Sequence, residues 1–168
     1  RITSIEAAPR ISALVFERLL RIDDEGRPQP ALAVSWQADA EQKRWEFRLR
    51  AGVKFHDGYP LTAATVGGSL QRVMPAGVTV AVSGEAVLIK SDRAMPGLLF
   101  ELARPSASVT ARGPDGGVVG TGPFRVSRFE PSRHLSLAAF DDHWNGRPFV
   151  DSVEIEMGRS TRDQFVDL

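Results

Sequence analysis

Apolar residues at positions 11, 14, 15 and 19, flanked by Phe16 and Leu20, form a stripe with helical spacing. This predicts a core-facing helix over residues 11–20, with Pro9 in its first turn. Residues 23–28 carry turn chemistry, and the short apolar run 30–36 predicts a helical turn with Leu32 and Trp36 inward. The pattern then changes period. Trp45, Phe47 and Leu49 alternate with Glu46, Arg48 and Arg50, the signature of a half-buried strand. A turn at Ala51-Gly52 is followed by renewed alternation through Val53 and Phe55.

Asp57-Gly58 reads as a second turn, because glycine enters positive φ at little cost. Thr62 is placed to N-cap a helix over residues 63–73, with Val66, Leu70 and Val73 buried. The pair Gly67-Gly68 costs this helix about 1 kcal/mol per glycine relative to alanine, which implies close packing or a weak helix. Residues 78–82 and 86–90 around Ser83-Gly84 predict a hairpin. Pro96 opens a short helix carrying Leu98, Leu99 and Leu102, and residues 112–122 form a glycine-rich loop. A second hairpin spans 124–129 and 135–139, and Val153, Ile155 and Met157 alternate as a last strand. Ser160 with Asp163 resembles a capping box at the start of a further helix, which suggests that more chain follows Leu168. Hairpins and single helices interleave without a βαβ repeat, so the expected class is α+β or mixed α/β.

Composition narrows the function. The 168 residues suit one domain or one lobe. Lysine plus arginine equals aspartate plus glutamate, 21 each, so no bulk field points to nucleic acid or an anionic membrane. The absence of cysteine removes disulfides, thiolate metal sites and cysteine nucleophiles. No apolar run is long enough to span a membrane. The first residue is Arg1, which suggests a trimmed or mature segment.

Candidate chemistry resolves into structure. His56-Asp57 resembles a general-base pair, but no nucleophile stands nearby and Asp57-Gly58 serves as a turn. Asp141-Asp142-His143 resembles a metal triplet without ligand spacing elsewhere, and reads as a solvated turn. The segment 113–122 lacks the lysine-serine/threonine ending of a phosphate-binding loop. Trp36, Trp45 and Trp144 are read as core anchors rather than a stacking platform. No catalytic residue, metal site or cofactor is expected.

Residues 30–73 resemble the signature region of family 5 extracellular solute-binding proteins, the receptors of dipeptide, oligopeptide and nickel ABC importers. The resemblance is carried by Phe16-Glu17-Arg18-Leu19, Gly26, Pro30, Leu32-Ala33 and Ser35-Trp36, then Trp45, Phe47 and Leu49-Arg50. It continues through Val53-Lys54-Phe55-His56-Asp57-Gly58, Pro60-Leu61-Thr62-Ala63, Val66, Ser69 and Arg72. A second block, residues 120–126, is similar to the family's GTGPF return strand, and residues 141–148 to its WNGKP turn. The chain departs at Ala64-Thr65, where the family usually carries an acidic pair near the helix's positive end, and in a short stretch over 74–112.

The resemblance implies the N-terminal lobe of a type II, cluster C periplasmic-binding-protein-like fold, a clamp that traps a solute between lobes. Residues 1–37 and 107–168 would form the lobe's core, 38–106 an inserted small subdomain, and the C-terminal lobe would be absent. His56-Asp57-Gly58 would be a structural corner. Ser4 and Glu6, in the segment leading into the first helix, are the expected cleft-lining residues by position alone. The implied function is capture of a peptide or other small solute for the membrane subunits of an ABC transporter, in the periplasm or outside the cell, with a lipid anchor compatible. No enzymatic activity and no nucleic-acid partner is implied. The alternative is the ligand-sensing module of a cytoplasmic transcriptional regulator built on the same fold.

Overall fold

A computed structural model describes residues 4–157, with side chains described from residue 10 onward. Helix α1 covers Ser4–Val15, earlier than the expected 11–20, so Pro9 falls in its interior. The reason lies far along the chain. The Val15 carbonyl accepts the Gly122 N–H at 3.0 Å, which uses the acceptor on which the helix would have continued. Beyond it, Arg18 and Leu19 offer their carbonyls to Leu32 and Ala33 (3.2 and 2.9 Å). The chain is thereby drawn into β1 (Leu20–Ile22), antiparallel to β2 (Pro28–Pro30).

The stretch expected as a helical turn over 30–36 is instead the end of β2 and most of β3 (Ala33–Ala38). Its short apolar run carries no decisive period, and pairing with β4 (Arg44–Leu49) decides it, setting Trp36 opposite Phe47 and Ala38 opposite Trp45. The expected hairpin forms as β5 (Val78–Ser83) and β6 (Ala86–Ser91). Together they make an antiparallel sheet of order β3-β4-β6-β5. Trp45, Phe47, Val87 and Ile89 project from one face and are buried. Truncating a fully buried phenylalanine such as Phe47 costs about 3–5 kcal/mol.

Helix α2 (Ala63–Gln71) lies on this sheet, contributing Val66 and Leu70. Thr62 caps it as expected, and Thr65 closes a reciprocal box: the Thr65 N–H donates to Thr62 Oγ1 (3.2 Å) and the Thr62 N–H to Thr65 Oγ1 (3.0 Å). Thr65 thus performs the role usually given to a glutamate or glutamine. A Cβ on Gly67 would sit 3.4 Å from Val82 Cγ2, so this residue faces β5, whereas Gly68 faces open space.

Helix α3 (Leu98–Leu102) and a 3₁₀ turn over Pro105–Ala107 add Leu98, Leu102 and Ala107 to the same core. The glycine-rich segment is not wholly loop, since β7 (Ala111–Arg112) and β8 (Val118–Val119) pair across it. Strands β9 (Phe124–Glu130), β10 (His134–Ala139) and β11 (Ser152–Glu156) form a separate antiparallel sheet of order β11-β10-β9. Its own small core joins Val15 to Phe124, Leu137 and Ala139. The helix expected from Ser160 lies outside the described residues.

Candidate functional site

Two places in the fold gather the residues that matter. The first is a junction between the end of α1, the corner at residues 55–58, and the segment 120–123. Gly58 adopts φ +86° and its N–H donates to the Phe55 carbonyl at 2.9 Å, making the tight corner. His56 then reaches across the chain. Its backbone N–H donates to Gly120 O (3.0 Å), and its Nε2 lies 3.0 Å from Gly122 O. A carbonyl only accepts, so Nε2 carries the proton. Burial pushes the His56 pKa down, with the Gly122 contact opposing in part, and its ring stands edge-on to Phe140 at 5.1 Å. A histidine in this state is a neutral clamp.

Gly120 and Gly122 are required by proximity. A Cβ at Gly120 would lie 2.1 Å from the Val15 carbonyl oxygen, and one at Gly122 2.4 Å from that of Leu14. Between them Thr121, fully buried, donates from Oγ1 to Glu17 Oε2 at 2.8 Å. Glu17 is the centre of the junction. Trp144 Nε1–H donates to both its oxygens (3.1 and 3.0 Å), and His143 Nε2 lies 3.3 Å from Oε1. The other His143 nitrogen faces Gly146 O at 3.1 Å, so the doubly protonated ring satisfies both acceptors. Burial alone would lower the His143 pKa, but the Glu17 carboxylate outweighs it and holds the group above its ordinary value. The Arg50 guanidinium covers the Trp144 ring at 4.0 Å, and Lys54 pairs with Asp142 at 2.8 Å.

The second place is a cavity of about 320 Å³ between α2, α3 and the start of β5. Val73, Met74 and Pro75 line one side and Met95, Leu98 and Ala107 the other, with Val78 behind. Its one charged lining residue, Glu101, is held at the rim by Arg104, whose Nη1 lies 3.1 Å from both carboxylate oxygens. Helix α1 packs against the 3₁₀ turn that supplies Ser106 and Ala107 to the cavity. Among the described residues no group of three or more His, Cys, Asp or Glu could hold a metal ion.

Residues 27–167 match the profile described as bacterial extracellular solute-binding proteins, family 5 Middle. The chain belongs to this family. The nickel-binding protein NikA of Staphylococcus aureus is 30% identical over 152 residues, 83% of this chain and 31% of NikA. Its crystal structure with Ni(L-His)2 superposes with a TM-score of 0.82 at 26% identity, covering 94% of this chain and 37% of that one. The HTH-type transcriptional regulator SgrR of Pectobacterium atrosepticum is 32% identical over 160 residues, 86% of this chain and 28% of the regulator. The chain thus spans about a third of the length of these relatives. The mixed helix-and-sheet architecture is a portion of the type II periplasmic-binding-protein fold.

Of the motif residues, Glu17, His56, Gly120, Thr121, Gly122 and Trp144 meet at the junction, whereas Leu32, Trp45, Phe47, Leu49 and Val66 pack in the larger core. His56-Asp57-Gly58 is the structural corner that the resemblance implied. His143 departs from the expected solvated turn, because its side chain is only 7% exposed and faces Glu17. Asp141 and Asp142 do remain outside, paired with Arg147 and Lys54. Ser4 and Glu6 belong to the first turn of α1, while their side chains lie outside the described residues. Sequence reasoning missed the α2–α3 cavity, whose residues match no motif. The available signal was two methionines beside apolar segments, at Met74 and Met95.

Proposed function

We propose that this chain is the solute-capturing lobe of an ABC-importer receptor, working in the periplasm or outside the cell, and that its solute is a peptide or other small molecule. The observation that carries the reading is an open, apolar cavity on a lobe whose family is one of solute-binding proteins. The solute sits against the α2–α3 cavity, whose 3₁₀ turn packs on α1. Ser4 and Glu6 are proposed as cleft residues by their position in the chain alone. A second lobe closes over the solute, and transporter membrane subunits receive it. The lobe divides near residues 37 and 107. Support for two parts comes from the separate small core under β9–β11, although Leu19, Leu20 and Leu32 pack with the larger one.

Calorimetric titration of the protein as its full gene encodes it tests this reading, using pooled peptides, nickel–histidine and sugars. Saturable heat with one class supports it, and silence with all overturns it. A second reading, the sensing module of a cytoplasmic regulator, is favoured by the similarity to SgrR. Fractionation of cells expressing the full gene separates the two. Product in the cytosol together with DNA retention favours the regulator, and export favours the receptor.

A further inference from the structure

We propose that the α2–α3 cavity is a specificity pocket for an aliphatic or aromatic group of the solute, and that it excludes hydrated ions and charged chelates. This rests on the solute-capture reading above. The walls present the methyl and thioether groups of Val73, Met74, Met95 and Leu98, and no free charge projects from them. Transfer of a charged or unpaired polar group into such surroundings is strongly unfavourable, whereas an apolar group gains in proportion to the area it removes from water. The volume, about 320 Å³, sits at the small end of ligand pockets. A cavity of about 150 Å³ already holds a benzene ring, so this one takes an apolar group of one to two side chains' size and leaves the rest of the solute to be held outside. Thioether side chains repack around different shapes, so the pocket selects for apolarity more than for one outline. Glu101 does not alter this, since Arg104 neutralises it at the rim. Ser106 adds a hydroxyl at the edge, suited to an amide next to the buried group.

The chain's three methionines are Met74, Met95 and Met157, and only the first two line the cavity. Methyl-13C methionine labelling of the protein therefore gives two reporters and an internal control. Titration with tripeptides bearing a central phenylalanine or leucine is expected to shift Met74 and Met95 and leave Met157 in place. Affinity should be roughly tenfold to hundredfold above that of the alanine or lysine counterparts. Gly97→Leu adds a side chain at the cavity wall where a Cβ meets nothing within 4 Å, and Val73→Asp places a charge at its mouth. Both should abolish the shifts while the protein stays folded.

Tight binding of nickel–histidine or a lysine tripeptide with Met74 and Met95 unmoved would overturn the pocket's assignment and leave the receptor reading standing. Shifts of the same methyls that follow protein concentration without added solute would mean that a second copy covers the cavity, and would also overturn it. No binding by any solute would overturn both.

Discussion

The motif junction and the α2–α3 cavity are built on opposite rules. At the junction every polar group is answered: Glu17 takes Thr121, Trp144 and His143, while His56 takes the carbonyls of Gly120 and Gly122 through its own N–H groups. The backbones approach so closely that only glycine fits. The cavity contains almost no polar group, and its mouth is open. Val73 and Phe100 nearby remain 47% and 51% exposed. The residues that mark the family therefore hold the lobe together, and those facing the open cavity match none of its motifs. A motif in such a protein identifies the clamp without identifying what is clamped.

The sharpest way to break this contrast is at the glycines. Gly120→Ala drives a methyl group to 2.1 Å from the Val15 carbonyl oxygen and 2.7 Å from Phe16 Cδ1. The nearest atom is backbone, so α1 or the 120–123 segment must move. The expected loss is about 3 kcal/mol or more, measured by urea denaturation. A loss below about 1 kcal/mol would mean that the junction is slack.

Glu17 comes next. In Glu17→Gln one oxygen acceptor becomes an amide donor facing Trp144 Nε1 and Thr121, and the charge that steadies His143 is gone. Hydrogen bonds to charged groups contribute roughly 1.5–3 kcal/mol each, but the variant retains part of them, so a loss of about 2 kcal/mol is expected. The double variant with His143→Gln should cost less than the sum of the two single changes, because both act on one network. Strict additivity would show that Glu17 and His143 do not communicate.

Much of this architecture was legible in advance where the determinants are local. The alternation at 45–49, the Thr62 cap and both hairpins follow from period and turn chemistry. The end of α1 was not legible, because Gly122 terminates it from more than a hundred residues away. Residues 30–36 read as a helical turn for the same reason: the choice between helix and strand was made by β4. The junction was half legible. The motif residues were named, but nothing local indicates that Glu17, Thr121 and Trp144 meet. The cavity was not legible at all, since a pocket is defined by the spacing of elements and its apolar lining resembles ordinary core.

The two junction histidines give a smaller, pH-dependent effect with opposite signs. An unfolded histidine titrates near 6.5. His143 is held above that in the fold, so the folded state binds its proton more tightly. Its stabilisation is complete below about pH 6.5 and fades as pH rises through the raised value. His56 is held lower, so its contribution is complete above about pH 6.5 and is lost as pH falls through the lowered value. Unfolding free energy against pH should therefore peak near neutrality. His143→Gln should flatten the alkaline limb and His56→Gln the acid limb. If either variant flattened the other's limb, the assignment of the two roles would be reversed.

The smallest stability change is expected at the cavity, and it makes the contrast most useful. Val73→Asp alters a half-exposed residue after the last turn of α2, where no hydrogen-bond network is disturbed and the new carboxylate reaches water. Surface changes of this kind stay within about 0.5 kcal/mol. Gly97→Leu should fall in the same range, because Gly97 has an ordinary negative φ of −89° and open space beyond its Cβ position. Urea midpoints close to the parent value, together with lost solute binding, would separate the part of the lobe that holds from the part that is held. A drop of more than about 1 kcal/mol in both variants would show instead that the cavity wall is working core, and that its openness reflects loose packing between α2 and α3.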